Sequence, residues 1–266
     1  ESWKHMMQKF LVLSLWITIV TARSGGTRFR ITGESQTYLG RIVGGVDAQI
    51  EDFPYQLSLR IRGNHNCGAS VISENWALSA AHCTYPKLET EAYTLWGEIG
   101  HRLEGGTIFE VDTVENHPSY VERTVRFDVC VLKTEDAMIG SIIQPVRLAS
   151  INGDFAPGTP AIVSGWGLTS VPGMLATLLQ MINVPLVSQD VCRSYWGDMV
   201  TSDMLCAEEL NLSVCSSDSG GSLFVEGRQV GIVSWGEGTC QGRMPGVYAR
   251  VSHPDIRVWI TGFTGI

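Results

Sequence analysis

The run Cys215-Ser216-Ser217-Asp218-Ser219-Gly220-Gly221-Ser222 sets a serine hydroxyl between an acid and two glycines. Glycines beside a serine let the backbone turn tightly, which leaves the hydroxyl open and brings N–H groups close to a substrate carbonyl. Such a loop can carry a nucleophile. Ser, Asp and Gly are equally the residues of an ordinary surface turn, so the loop needs partners elsewhere in the chain. A serine nucleophile needs a base to take its proton. Among six histidines the outstanding candidate is His82, in Leu78-Ser79-Ala80-Ala81-His82-Cys83. A bridge from Cys83 to Cys67 would pin it and contribute about 3 kcal/mol by loop closure. His117 and His253, each before a proline, read as turn residues, and His65 and His101 as residues of polar loops. No pair of histidines has metal-ligand spacing, so neither metal nor cofactor is expected. The base in turn needs an acid to hold its tautomer. Asp128 interrupts the apolar run Phe127-Asp128-Val129-Cys130-Val131-Leu132, where an unpaired carboxylate is costly. The same alternation also fits an edge residue facing water.

The elements that must position these residues are short strands. Leu57, Leu59 and Ile61 share one face of a period-two run, and Val125, Phe127, Val129 and Val131 share another. Turn clusters at Arg62-Gly63-Asn64, Glu104-Gly105-Gly106 and Asn152-Gly153-Asp154 separate such runs without helix-length segments between them, so the body reads as all-β and antiparallel. Pro157-Gly158-Thr159-Pro160 marks a junction between two halves. Two helices are expected. One spans about 189–195 with Ser188 as N-cap; the other follows Pro254 and places Ile256, Trp259, Ile260 and Phe263 on one face.

At 266 residues, 44% hydrophobic and 17% charged, the chain can bury a sizeable core. Its formal charge is -8, but residues 1–41 are basic, and without them 13 Lys and Arg face 25 Asp and Glu, a net -12. Such a body is repelled by phosphate backbones and anionic membranes, so neither nucleic acid nor a stable membrane association is expected. Lys9, the apolar run from Phe10 to Val20 and the small residues Ala22 and Ser24 have the layout of a secretory signal, assigned to 1–22. Export to the extracellular space makes disulfides plausible for the seven cysteines. The polar stretch 23–41 reads as a propeptide. Cutting after Arg41 would create an ammonium at Ile42 that needs a buried carboxylate, for which Asp218 is the natural candidate. A linker before a strand is the plainer reading of the same residues.

Ile42-Val43-Gly44-Gly45, Ala80-Ala81-His82-Cys83, Asp128 in its apolar run, Gly165-Trp166-Gly167, Asp218-Ser219-Gly220-Gly221 and Ser234-Trp235-Gly236 stand in the order found in chymotrypsin-like serine proteases. From Arg41 to the C-terminus the chain resembles this trypsin and chymotrypsin family, and within it the three-disulfide invertebrate chymotrypsins. The resemblance implies two packed antiparallel Greek-key β-barrels, about 42–155 and 156–266, with a short intermediate helix and a C-terminal helix. It implies a secreted zymogen, activated after Arg41 by a trypsin-like protease, that cuts peptide bonds and can meet protein inhibitors. Ser219 would attack the peptide carbonyl, His82 would move the proton, and Asp128 would orient His82. The N–H groups of Ser217 and Ser219 would form the oxyanion hole, and Ser234, Trp235 and Gly236 would pair with substrate backbone. Family pairing implies disulfides Cys67–Cys83, Cys192–Cys206 and Cys215–Cys240, which leaves Cys130 as a buried filler.

Where trypsin-like members carry Asp in the pocket, this chain has Ser213, and Gly236 and Gly246 match two glycines that keep the pocket open. With Val214 and Ser216 beside it, this implies a wide uncharged slot for Phe, Tyr, Trp, Leu or Met. Ser217 and Ser222 depart from the family's usual glycine and proline. A catalytically impaired binding protein on the same fold is therefore the alternative to an active, digestive, monomeric enzyme. Asn211-Leu212-Ser213 fits a glycosylation sequon, and Glu98 with Glu104 are two acids in the region of the family's calcium loop, too few alone for a site needing six or more oxygens.

Overall fold

The computed structural model describes residues 44–208 and 211–266. Arg41, Ile42, and the segments read as signal and propeptide, lie outside them. The described residues contain β1 (Val46–Asp47), β2 (Gln56–Ile61), β3 (Asn64–Val71), β4 (Trp76–Ser79), β5 (Tyr93–Gly97), β6 (Thr107–Asn116) and β7 (Cys130–Thr134). They continue with β8 (Arg147–Leu148), β9 (Pro160–Gly165), β10 (Gln180–Val187), α1 (Gln189–Trp196), β11 (Met204–Ala207), β12 (Ser222–Val225), β13 (Arg228–Trp235), β14 (Gly246–Arg250) and α2 (Pro254–Thr264).

The strands close into two six-stranded barrels of the same winding. The first runs β2-β3-β4-β7-β6-β5 and closes where β5 pairs with β2. The second runs β9-β10-β11-β14-β13-β12 and closes where β12 pairs with β9. Closure leaves no barrel edge unpaired. Two short strands belong to the second barrel although they precede it in the chain: β1 pairs with β10, and β8 runs parallel to β13. In β2 Leu57 and Leu59 are wholly buried beside Leu95, Val131 and Leu132, but burial does not alternate: Gln56 and Ser58 are buried as well, and Ile61, past the register shift at Leu59 and Arg60, is only half-buried. Among the described residues no helix is long and apolar enough to cross a membrane.

Both helices form where expected. Ser188 caps α1 by accepting the Val191 N–H at 3.1 Å. α2 begins with Pro254 and buries Ile256 and Ile260, whereas Phe263 stays 46% exposed and rests its ring on Trp259. The three implied disulfides are present, and Cys130 is the free cysteine, fully buried, with burial pushing its thiol up to about 12.

One expected strand does not extend as far as its alternation suggested. Val125 and Phe127 have φ of 52° and 53°, so the segment before Asp128 is a left-handed turn and β7 begins only at Cys130. Tertiary contacts override the pattern. The Phe127 N–H donates to buried Asp203 at 2.7 Å, and the Phe127 ring stacks on His117 at 4.9 Å. Asp128 therefore sits at the entrance to the strand instead of inside it.

The barrels meet tightly at the segment carrying Ser219. The Gly68 N–H in β3 donates to Ser219 O at 2.8 Å, and Gly220, at φ +81°, packs where a Cβ would lie 2.2 Å from Ser79 Oγ and 2.4 Å from Gly68 O. Gly227 has a similar φ of +83° but open space around it. Gly220→Ala is expected to cost about 3 kcal/mol from backbone strain plus overpacking, and Gly227→Ala about 1 kcal/mol from strain alone. Urea unfolding of the two variants measures this difference; equal losses would mean that the seam yields to the extra methyl.

Candidate active site

His82 lies on a single 3-10 turn, Ala81–Cys83, directly after β4. Ala80 and Ala81 are fully buried, and the Cys67–Cys83 disulfide ties the turn to β3. Asp128 is 1% exposed and meets the turn from below. Its carboxylate accepts the His82 backbone N–H at 2.9 Å and lies 2.7 Å from His82 Nδ1. From the second barrel Ser234 Oγ donates to the same carboxylate at 2.6 Å. With Asp128 ionised and acceptor-only, Nδ1 must carry a proton, so neutral His82 presents a lone pair at Nε2. Burial acts to lower the pKa of the ring, but the hydrogen bond and charge of Asp128 outweigh it, and the net shift is upward from 6.5.

Ser219 lines a cavity of about 200 Å³ together with Val214, Ser216, Trp235, Gly236 and Glu237. His82 lines an adjoining cavity of about 300 Å³ with Tyr85 and Tyr120, and the two share Ser234 and Trp235. Among the described residues Ser219 Oγ makes no hydrogen bond, to His82 or to any other group. Catalytic hydrogen bonds are often long before substrate arrives. The N–H groups of Ser217 and Ser219 likewise have no acceptor among the described residues. Ser217 holds a left-handed φ of 71°, and a left-handed residue in such a loop can turn successive N–H groups toward one anion. Together these groups supply a hydroxyl, a base with one nitrogen open, and donors for developing negative charge.

Asp218 is the second buried acid. Its carboxylate accepts the Gly167 N–H at 2.8 Å and the Cys215 N–H at 3.0 Å. Gly167 cannot carry a side chain here, because a Cβ would lie 2.3 Å from the carboxylate. Among the described residues no cation pairs with Asp218, and burial pushes its pKa up to about 7.

The remaining predicted site residues gather around the same cavity. Ser213 and Gly246 lie outside its lining, with Ser213 Oγ bonded to Val214 O at 2.8 Å and Gly246 facing Gly236 and the Tyr248 hydroxyl. Cys215–Cys240 ties together the two loops that form the cavity walls. Glu98 does not face Glu104: it accepts from Thr107 Oγ1, Ser141 Oγ and the Ile142 N–H, while Glu104 lies 3.3 Å from His101. Ser222 is buried in β12, with the Tyr55 hydroxyl beside it.

One residue read as a loop histidine belongs to the site. His65 lies in β3, and its Nε2 is 3.2 Å from Ser217 O. Its Nδ1 is 2.8 Å from Ser58 Oγ. Burial first, with the charges of Arg102 and Arg60 adding to it, overcomes the Ser217 bond and lowers its pKa to about 4, so the ring is neutral at pH 7. A neutral ring facing a carbonyl through Nε2 must carry its proton there, leaving Nδ1 to accept from Ser58. The signal was in the sequence, since Ser58 and His65 flank a tight hairpin, but only the register brings them together.

The chain matches the Trypsin family model over residues 42–260. It is 36% identical to "Trypsin delta" of Drosophila melanogaster over 259 residues, 96% of this chain and 98% of that protein. It is 37% identical to "Trypsin 5G1" of Aedes aegypti over 235 residues, covering 85% and 86%. To "Hypodermin-A" of Hypoderma lineatum it is 38% identical over 220 residues, covering 80% and 84%.

A Cβ at φ +71° is strained by about 1–2 kcal/mol. Ser217→Gly is therefore expected to stabilise the protein by about 1 kcal/mol, after the greater freedom of glycine in the unfolded chain is counted. Denaturant midpoints of the two proteins test this, and a less stable glycine variant would mean that the left-handed turn is not strained.

Proposed function

Because the chain belongs to the trypsin family and is a serine endopeptidase, we propose that Ser219 is its nucleophile, His82 its general base and acid, and Asp128 the residue that orients His82. The observation that carries this assignment is the network joining Asp128 to His82 and Ser234, next to a cavity lined by Ser219. As substrate docks, Ser219 Oγ attacks the peptide carbonyl and His82 Nε2 takes its proton. The resulting imidazolium is held by Asp128, the oxyanion by the N–H groups of Ser217 and Ser219, and His82 returns the proton to the leaving amine. Water then repeats the sequence on the acyl-enzyme.

The protein is proposed to be a secreted zymogen. Its three disulfides fit an oxidising compartment. Asp218 fits activation after Arg41 by a separate trypsin-like protease, because a fully buried carboxylate with two N–H donors and no cation among the described residues would gain from the ammonium of Ile42. Protein inhibitors and a monomeric, digestive enzyme complete this reading.

For specificity we favour large apolar residues before the cut bond, on the strength of Val214, Trp235 and the open wall at Gly236, and of a Ser instead of an Asp at position 213 behind the lining. The trypsin-named relatives favour a second reading, Lys or Arg at that position. Glu237 supports it as an acid on the cavity wall, although its carboxylate already accepts from Thr239 Oγ1 at 2.6 Å and the Arg243 N–H at 3.1 Å.

Cleavage after Arg41 followed by assay of Phe, Leu, Ala and Arg reporter peptides tests the reading. Hydrolysis after Phe or Leu, abolished in Ser219→Ala and reduced about 10,000-fold in Asp128→Asn, is expected. Turnover after Arg alone would select the second specificity, and no turnover from a chain beginning at Ile42 would favour the impaired binding protein. The pH dependence of stability tests the activation step separately. The folded-state pKa of Asp218 lies above its ordinary 3.8, so the uncut protein should lose stability as pH rises from there to about 7. The cut protein should not show this loss, so the stability difference between the two forms should grow from about pH 4 to about pH 7 and level off above it. Parallel curves would remove Asp218 as the partner of Ile42.

A further inference from the structure

Beyond Ser217 and His65 lie two arginines that the proposed reaction does not use. Arg60 projects from β2, where its backbone pairs with His65 in β3. Its guanidinium sits 3.6 Å over the Trp96 ring and donates to Gly63 O and to the backbone carbonyl of Arg102. Arg102 is fastened as well: its N–H donates to Thr177 O at 2.8 Å, and its Nε to Ala176 O at 3.0 Å. Its two terminal nitrogens have no partner among the described residues. No carboxylate there pairs with either guanidinium, although Asp and Glu outnumber Lys and Arg by 25 to 13 from residue 42 onward. The charges act on each other and on His65 without relief, since Arg102 lowers the pKa of Arg60 and both act to lower that of His65, in each case after burial.

The position of this pair relative to the cut bond follows from the cavity. The residue before the bond enters the space lined by Val214, Trp235 and Gly236, on one side of Ser219. Ser217 is outside that lining; its carbonyl is met by His65, which in turn feels the charges of Arg102 and Arg60, so these groups border the loop of Ser219 away from the cavity-lining residues. An extended chain advances about 3.3 Å per residue, so a group set behind His65 is addressed by a residue a few positions from the cut bond and not by the one adjoining it.

We propose that Arg102, with Arg60 as the residue that positions it, forms a subsite selecting Asp or Glu at the second or third residue on the leaving side of the cut bond. The proposal rests on the assignment of Ser219 and its cavity made above. Arg60 spends its hydrogen bonds on carbonyls and stacks on Trp96, so it holds the cluster together. Arg102 offers two open nitrogens in the planar fork that suits a carboxylate. A solvent-exposed ion pair of this kind is modest, and salt weakens it.

The test uses the activated protein and peptides identical except for Glu, Gln or Lys at the second and third leaving-side positions. An ester with no residue beyond the cut bond serves as reference, because it cannot reach Arg102. Wild type is expected to cleave Glu peptides with about 3- to 10-fold higher kcat/KM than Lys peptides at low ionic strength, with the ratio shrinking in 0.5 M salt. Arg102→Gln should bring the ratio close to one, and Arg102→Glu should invert it. Equal ratios in all three proteins, each still cleaving the ester, would overturn the subsite while leaving the peptidase reading intact. Absence of ester turnover in activated wild type would overturn both.

Discussion

A carboxylate taken out of water costs the folded state several kcal/mol unless donors and a nearby positive charge replace its hydration. Asp128 meets that constraint with three donors, two from His82 in the first barrel and one from Ser234 in the second. The site therefore exists only when the barrels are docked, because neither barrel alone satisfies the acid. Docking in turn needs the close approach of Gly220 to β3 and β4, which also brings the Ser219 segment to the His82 turn. One electrostatic requirement thus fixes the tautomer of the base and couples it to the fold.

The loop before Ser219 repeats the logic with less complete satisfaction. Asp218 has two N–H donors and an elevated pKa, and Ser217 keeps a left-handed turn while carrying a side chain. Both are held from outside the loop, Asp218 by Gly167 and Ser217 by His65, whose ring stays neutral through the physiological range. Strain of this kind persists where surrounding structure over-determines it, and such places are commonly functional. The same His65 feels the charges of Arg60 and Arg102, and Arg60 donates to the backbone carbonyl of Arg102.

Much of this was legible in the sequence because the chemistry sits in short, ordered segments. The small residues before His82 and the Asp-Ser-Gly-Gly run each constrain their own local geometry, the disulfide pairing followed from the family resemblance, and Ser188 and Pro254 mark the helix starts through capping rules that need no tertiary partner. The apolar run left Asp128 open between a buried acid and an edge residue facing water, the resemblance favoured the first, and the structure buries it. Its strand was overextended because the turn at Val125 and Phe127 is imposed by Asp203 and His117, which are distant in the chain. His65 was read as a residue of a polar loop although it and Ser58 flank a tight hairpin, and Arg102 escaped notice; strand register gives His65 its partner, and contacts with distant Thr177 and Ala176 fasten Arg102. Ser217 was noticed as a substitution, but its left-handed backbone could be seen only once the loop was built.

The pKa of His82, followed through its imidazole resonances from about pH 4 to pH 9 in the intact protein and in Asp128→Asn, tests the central coupling most directly. Burial alone would lower it, whereas the bonded carboxylate raises it. A value above 6.5 that falls in the variant is the expected result. A value below 6.5, unchanged by the substitution, would show that Asp128 does not govern the base.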